Sequence, residues 1–219
     1  MTRRPRGIVV FDLDGTLLRG NTVCEVLARP LGRLERMSEF EKLESESEIA
    51  DARQEMLSWY RERTRAELCA YLADATWAPG AKRAVRDLQR ADMLVGIASI
   101  TWRFAVEWFA NQLDVRHYLG TDEQPDGAIA HVWGRDKARW LANLAGSYRI
   151  PRNRIAAVGD STGDVDMLNA AHLRYFVGEA RGPEIPALVC MPNADLMLVA
   201  ESIIDAWAHP TSTAPGAGP

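Results

Sequence analysis

The sequence predicts an α/β fold with a doubly wound, Rossmann-like, mostly parallel sheet and an inserted helical cap. Short apolar runs recur along the chain, as is typical of strands buried in a parallel sheet. Helical patterns separate most of these runs, and such alternation indicates a doubly wound sheet. After the first run, a long charged segment rich in helix formers interrupts the alternation, and it is far longer than a crossover requires.

The strands are predicted from five apolar runs, of which the last is the weakest: GIVVFD (7–12), MLVGIAS (93–99), RIAAVGD (154–160), LRYFVG (173–178) and ALVCM (187–191). The helices of the core are predicted between or after these runs, over residues 81–91, 102–113, 136–148 and 165–171.

The charged segment predicts the cap. Its stretch from Met37 to Ala75 contains few turn residues and predicts two or three helices, and Pro79 and Gly80 end it. The end of the chain is rich in Pro, Gly, Ser and Thr, which is typical of disorder. The predicted division is therefore an α/β core of 1–18 and 79–207, a cap of 19–78 and a disordered tail of 208–219.

Composition narrows the class of protein. A hydrophobic fraction of 47% and a charged fraction of 26% are ordinary for a globular chain. The net charge of −4 argues against a nucleic-acid partner. Three widely spaced cysteines predict neither disulfides nor a zinc site and fit a reducing compartment. Without a signal peptide or an apolar run of about 18 residues, we expect a cytoplasmic protein with no membrane partner.

Polar residues occupy the positions where an α/β sheet binds its ligands, at the carboxyl ends of strands or the start of a following helix. These residues are Asp12 and Asp14, Ser99, Lys137, and Asp160 with Asp164. Clustered carboxylates repel one another unless a cation is present, and an all-oxygen set favours Mg²⁺. Lys137 and the Ser99 hydroxyl supply donors for a phosphate. Each signal alone is common, but the joint placement predicts a metal and phosphoryl site.

These residues resemble a known family. DLDGT (12–16), Ser99 after an apolar strand, Lys137 and GDSTGD (159–164) resemble the four motifs of the haloacid dehalogenase-like hydrolases. The resemblance covers about residues 7–180. A helical cap between the first and second motifs resembles the subgroup that contains phosphoserine phosphatase.

The resemblance implies a role for each motif residue. Asp12 would be the nucleophile that forms an aspartyl-phosphate, and Asp14 would be the general acid and then the general base. The implied phosphate-binding residues are Ser99, Ile100 and Lys137. The implied Mg²⁺ site consists of the Asp12 carboxylate, the Asp14 backbone carbonyl and Asp160, with Asp164 acting directly or through water.

The expected function is Mg²⁺-dependent hydrolysis of a small polar phosphomonoester. Dehalogenases lack the second aspartate of the first motif, so Asp14 favours a phosphatase. Three alternatives remain: phosphoserine phosphatase proper, a phosphotransferase, and a non-catalytic binding protein on the same fold. The presence of both Asp12 and Asp14 argues against the last.

The predicted substrate-contacting residues differ from those of the phosphoserine phosphatases that the chain resembles. Asn21 stands where they carry a glutamate that grips the substrate amine, and Glu25 lies one helical turn further on. Gly163 replaces an asparagine that contacts substrate in those enzymes. Arg53, in the cap, could contact a substrate carboxylate.

The cap is acidic between positions 39 and 55, where the sequence has seven acids and only two bases. The acids are Glu39, Glu41, Glu44, Glu46, Glu48, Asp51 and Glu55, and the bases are Lys42 and Arg53. Such a run is usually a solvated helix face. The alternative is that one or two of the acids turn into the cleft. An inward acid would select a hydroxyl or an amine on the substrate, as an amino-alcohol phosphate has.

Overall fold

The computed structural model describes residues 4–179 and 182–208. Seven strands form one sheet in the order β6-β5-β4-β1-β7-β8-β9. Their bounds are Gly7–Phe11 (β1), Met93–Trp102 (β4), His117–Glu123 (β5), Ile129–Ala130 (β6), Ile155–Gly159 (β7), Leu173–Phe176 (β8) and Leu188–Cys190 (β9). A separate antiparallel pair consists of β2 (Leu18–Arg19) and β3 (Thr76–Trp77).

The helices of the described chain have the bounds Val23–Ala28 (α1), Leu34–Phe40 (α2), Glu46–Tyr60 (α3), Arg65–Tyr71 (α4), Ala81–Arg90 (α5), Arg103–Gln112 (α6), Gly134–Ser147 (α7), Val165–Ala170 (α8) and Leu196–Ala208 (α9).

The sheet is parallel except at one edge, where β6 runs antiparallel to β5. Strand β1 lies at the centre between β4 and β7, and all five of its residues are buried. Because adjacent side chains of a strand point to opposite faces, Val9 and Phe11 join the larger core cluster, whereas Ile8 and Val10 join the smaller one. Helices α5, α6 and α9 contribute to the larger cluster, and α7 and α8 to the smaller one, which confirms the doubly wound α/β fold.

Three elements of the core, β5, β6 and α9, were not predicted. Strand β5 has the polar sequence HYLGTDE, and its pairing with β4, not an apolar pattern, places it in the sheet. Helix α9 follows the weak fifth strand and buries Leu196, Val199 and Ile203 against α5. Strand β4 also continues to Trp102 instead of ending at Ser99, because its last residues pair with β5 beyond an irregularity.

Four helices, α1 to α4, lie between β2 and β3. The pairing of Leu18 with Trp77 and of Arg19 with Thr76 brings the two ends of this segment together. Helices α3 and α4 and the end of α2 fall within 37–75, in agreement with the predicted number. The division into a core and a separate cap stays a prediction. Of the predicted tail, Ala208 ends α9, and 209–219 lie outside the described residues.

None of the helices described in 4–179 and 182–208 is both long enough and apolar enough to cross a membrane.

Candidate active site

The central strand ends in a buried aspartate. Asp12 follows Phe11, is 5% exposed, and donates its backbone N–H to the carbonyl of Val158 on β7 at 2.9 Å. Its Oδ1 accepts a hydrogen bond from the ammonium of Lys137 at 2.6 Å. Burial raises the pKa of Asp12 well above its ordinary value, and the nearby charge of Asp164 raises it further, while Lys137 opposes both effects.

Lys137, on the first turns of α7, joins two carboxylates. Besides Asp12 it contacts Oδ1 of Asp164 at 2.8 Å, and both Lys137 and Asp164 are buried. Burial alone would lower the pKa of Lys137, but the charges and hydrogen bonds of the two carboxylates raise it above its ordinary value. The side chain therefore stays an ammonium at neutral pH.

The third carboxylate of this site belongs to Asp160, and a glycine allows the loop after β1 to approach it closely. Gly15 has φ +76°, and a Cβ on it would lie 2.0 Å from Oδ2 of Asp160. The loop after β1 thus passes directly against the carboxylate that follows β7. Thr16 on the same loop donates its hydroxyl to Oδ1 of Asp160 at 2.9 Å and is itself fully buried. Its role was missed in the sequence because threonine after Asp-Gly is an ordinary turn residue.

The site residues fit Mg²⁺. Asp12, Asp160 and Asp164 each present a carboxylate oxygen, and these oxygens lie within 4.8 Å of one another. Asp164 uses Oδ1 for Lys137 and Oδ2 for donors on Asp160 and Ser161, so it orients the cluster. Asp12 and Asp160 each keep one oxygen outside these bonds. Three carboxylates against one ammonium leave an excess of negative charge, and hard oxygen ligands suit Mg²⁺.

Asp14 lies apart from that cluster and faces the segment between β2 and β3. Its Oδ1 accepts the backbone N–H of Val23, the first residue of α1, at 2.7 Å. Burial raises the pKa of Asp14 to about 7, although the Val23 bond favours the ionised form. The carboxyl is therefore suited to give up and to take back a proton near neutral pH.

The predicted phosphate-binding residues after the second apolar run also reach the site. Ser99 is 1% exposed, and its Oγ accepts the N–H of Thr101 at 3.2 Å, which leaves the hydroxyl proton available for a ligand. The Ile100 side chain is 40% exposed, although the residues on either side of it are buried. Ser99, Ile100 and Lys137 all line one cavity with Asp12 and Asp14.

This cavity has a volume of about 300 Å³. Its inner wall carries the polar residues named above, and the segment between β2 and β3 supplies an apolar wall that includes Met37, Phe40, Leu43, Ile49, Ala52 and Met56. A cavity of this size between two parts of the chain suits a small molecule whose reacting end meets the aspartates.

Of the three residues predicted to contact substrate, only Arg53 lines the cavity. It is 4% exposed and stacks on the ring of Trp133 with its guanidinium carbon 4.5 Å from the ring centroid. Burial lowers the pKa of Arg53 to about 10. Asn21 is exposed and lies outside the cavity lining, and the Glu25 carboxylate accepts the Thr22 N–H at the start of α1.

Glu41 is the acid that reaches the cavity instead. Its Oε1 accepts the Thr22 hydroxyl at 2.8 Å, and desolvation raises the pKa of its carboxyl. Glu41 therefore favours the alternative in which one or two cap acids turn into the cleft over a fully solvated helix face. Nothing in the sequence separates Glu41 from its six acidic neighbours.

Comparison with known proteins assigns the family. The model of the haloacid dehalogenase-like hydrolases matches residues 9–169 of the chain. The chain belongs to this family. Its expected motif residues all fall in the matched range.

Curated relatives of this haloacid dehalogenase-like hydrolase include phosphoserine phosphatases. A phosphoserine phosphatase of Mycobacterium tuberculosis is 30% identical over 184 residues, which are 78% of this chain and 44% of the relative. The chain thus spans less than half of that relative. A phosphoserine phosphatase of Idiomarina loihiensis is 28% identical over 178 residues, 75% of this chain and 79% of the relative.

Solved structures support the fold. A substrate-bound phosphoserine phosphatase complex superimposes with a TM-score of 0.73 at 20% identity, covering 90% of this chain and 97% of the other. A phospho-aspartyl intermediate analogue of phosphoserine phosphatase gives a TM-score of 0.71 at 18% identity, covering 90% and 98%.

The contact between Gly15 and Asp160 can be tested against a matched glycine. Gly20 has a similar φ of +82°, but a Cβ on it would meet no atom within 4 Å. Both Gly→Ala variants bear the strain of a positive φ, about 1–2 kcal/mol. Only Gly15→Ala also displaces the Asp160 carboxylate, so we expect it to lose at least about tenfold in turnover of nitrophenyl phosphate. Thermal unfolding measures the shared strain, and equal turnover in the two variants would contradict the assigned contact.

Proposed function

We propose that this protein is a Mg²⁺-dependent phosphomonoester hydrolase that acts on a small polar phosphorylated metabolite through an aspartyl-phosphate on Asp12. One observation carries the proposal. The Asp12 carboxylate lies at the end of the central strand, held by the Lys137 ammonium, beside two further carboxylates and in the lining of the cavity.

The chain's own residues divide the chemistry between them. An oxygen of Asp12 attacks phosphorus while the bond from phosphorus to the ester oxygen breaks. Asp14 gives its proton to the departing alcohol and then takes one from the water that attacks the aspartyl-phosphate. The second attack releases inorganic phosphate and restores Asp12. Lys137 and the Ser99 hydroxyl hold the phosphoryl oxygens, which is the positioning and charge stabilisation that phosphoryl transfer requires.

Asp12, Asp160 and the backbone carbonyl of Asp14 would hold Mg²⁺. When bound, the ion neutralises charge and polarises a phosphoryl oxygen. Asp164 positions this site through its bonds to Lys137 and to the backbone of Asp160.

The nucleophile assignment predicts that replacing one oxygen of the Asp12 carboxylate almost abolishes turnover. Asp12→Asn keeps the shape of the side chain but replaces the attacking carboxylate by an amide, so turnover falls to below a few per cent of wild type. Asp87→Asn is the matched control, since Asp87 pairs with Arg83 and Arg90 on α5. It leaves turnover unchanged.

Phosphate release is measured with water as the only acceptor, which also separates hydrolysis from transfer to another acceptor. A clean Asp12→Asn preparation with more than a few per cent of wild-type rate excludes Asp12 as nucleophile.

The metal assignment predicts both activity and stability. Activity disappears in EDTA and returns with Mg²⁺, whereas Ca²⁺ inhibits because its larger and looser coordination misplaces the nucleophile. Added Mg²⁺ also raises the midpoint of thermal unfolding, because an ion that binds only the folded chain stabilises it. Asp160→Asn abolishes this shift, and Asp87→Asn preserves it. Full activity in chelator would refute the metal assignment.

Substrate selection is assigned to Glu41 and Arg53. A phosphate is neutralised by Lys137 and Mg²⁺, so an additional acid in the cavity serves another group of the substrate. Glu41 would accept a hydrogen bond from an ammonium or hydroxyl group. Arg53 places a guanidinium in the same cavity, and this favours phosphoserine as a second candidate, since its carboxylate would contact that side chain.

The Glu41 assignment is tested by competition between esters. Wild type is expected to prefer phosphoethanolamine over glycerol phosphate in kcat/KM, and Glu41→Gln to reduce that preference about tenfold, because the charge that selects the ammonium is lost. Glu39→Gln is the control, as Glu39 pairs with Arg36 on the exposed side of α2. An unchanged preference in Glu41→Gln would remove Glu41 from substrate selection.

A further inference from the structure

The phosphate-binding end of β4 leaves the regular ladder. Ala98 pairs with Leu119, and the next paired residues are Trp102 and Thr121. Three residues of β4, Ser99 to Thr101, therefore face a single residue of β5. Such an insertion bends the strand and leaves the inserted residues without their ladder partners.

That single residue is Gly120, and it shows how closely the inserted residues are packed. A Cβ on Gly120 would lie 2.7 Å from Cα of Arg103 and 3.0 Å from the carbonyl oxygen of Thr101. The bulge and the start of α6 thus lie directly on the backbone of β5. The bulge carries Ser99 and Ile100 into the cavity.

The Ile100 carbonyl, at the apex of the bulge, obtains its donors from two side chains. The Thr121 hydroxyl donates to it at 2.9 Å, and Arg53 Nη2 also donates to it at 2.9 Å. Thr121 is 1% exposed and Arg53 is 4% exposed. Because both donor side chains are buried, these two bonds fix the position of the bulge.

The same two side chains reach a second loop. Thr121 Oγ1 accepts the N–H of Val132 at 3.0 Å, and Arg53 Nη2 lies 3.3 Å from the Val132 carbonyl oxygen. Val132 lies two residues before α7, the helix that carries Lys137 in its second turn. One hydroxyl therefore joins the segment that carries Ser99 to the segment that carries Lys137.

The two bridges come from different parts of the chain. Thr121 belongs to β5 of the sheet, whereas Arg53 belongs to α3, which lies between β2 and β3. The bridge through Thr121 is internal to the sheet and needs no contact with α3. The bridge through Arg53 exists only while α3 lies over the cavity.

We propose that Thr121 is a positioning residue for phosphoryl recognition: its hydroxyl holds the Ser99–Ile100 bulge at a fixed distance from Lys137, and Arg53 adds a second bridge between the same two segments. This inference rests on the proposed function, because it concerns the two groups that bind the transferred phosphoryl. It assigns to Thr121 no contact with the substrate.

Thr121→Val tests the proposal, because it keeps the shape of the side chain and removes both hydrogen bonds. We expect kcat/KM to fall about 10- to 100-fold, the scale of a displaced binding group. The loss is similar for nitrophenyl phosphate, glycerol phosphate and phosphoethanolamine, because the phosphoryl end is affected and the ester body is not. The dissociation constant of orthophosphate, measured by calorimetry, rises about tenfold. Thr121→Ser retains the hydroxyl and stays within about threefold of wild type in both measurements.

Tyr175→Phe is the control for a purely structural effect. The buried Tyr175 on β8 shares a 2.8 Å hydrogen bond with Ser202, so this variant also removes one hydroxyl bond from a core strand. It is expected to lower the midpoint of thermal unfolding and to leave kcat/KM and phosphate affinity unchanged. If Thr121→Val does not fold, Thr121→Ala and Thr121→Ser replace it as a pair, since both lack the methyl group and only Ser keeps the bonds.

The outcomes separate the two proposals. Equal kinetics and equal phosphate affinity in wild type and in folded Thr121→Val overturn the positioning role, as does an equal loss in the Ser and Ala variants. A wild-type protein that binds orthophosphate but hydrolyses no ester refutes the proposed function, while phosphate affinity still tests Thr121. A wild-type protein that binds no phosphate refutes both.

Discussion

The ammonium of Lys137 between the carboxylates of Asp12 and Asp164 is the interaction on which the rest of the site depends. Three buried or half-buried carboxylates lie within 4.8 Å of one another, and desolvation raises the pKa of Asp12 and Asp160. Without the buried cation this arrangement would be strongly repulsive, and breaking a buried pair typically costs about 3–5 kcal/mol. Lys137 offsets part of the negative charge of the three carboxylates and leaves an excess that a divalent cation can neutralise. The same bond fixes the carboxylate that is proposed to attack phosphorus.

The sheet order explains why these groups meet. Strand β1 lies between β4 and β7, so the residues that follow these three adjacent strands share one edge of the sheet. The loop after β1 approaches the residues after β7 through Gly15, and a bulge at the end of β4 brings Ser99 toward the same point. Helix α3 then covers the site through Arg53, and its first residue, Glu46, forms an ion pair with Arg135 on α7. Residues of α3 therefore contact the same two segments that are proposed to hold the phosphoryl group.

Much of this arrangement was predictable from local pattern. The apolar runs predicted five of the seven strands of the sheet, among them β1, β4 and β7, beside which the site is built. The motif residues Asp12, Asp14, Ser99, Lys137 and Asp160 all reach one cluster or cavity. The prediction failed where tertiary contacts decide. Strand β5 has a polar sequence and is identified only by its partner β4, and Glu25 serves the start of α1 because Thr22 lies three residues before it. The sequence did not distinguish Glu41 from six similar acids, and only the path of the folded chain places it at the cavity.

The sequence by itself determined the α/β class, the chemistry of the strand ends and the type of metal that suits them. These properties follow from periodicity and from the kinds of atoms that each residue carries. The tertiary structure alone decided which cap residues face the cavity, and it revealed that Thr121 joins the Ile100 and Val132 segments through one hydroxyl. The reason is physical. The hydrogen bond from Thr121 to Ile100 spans 21 residues of the chain, and the one from Val132 to Thr121 spans 11. Both depend on strand register and on a bulge, and neither feature leaves a pattern in the local sequence.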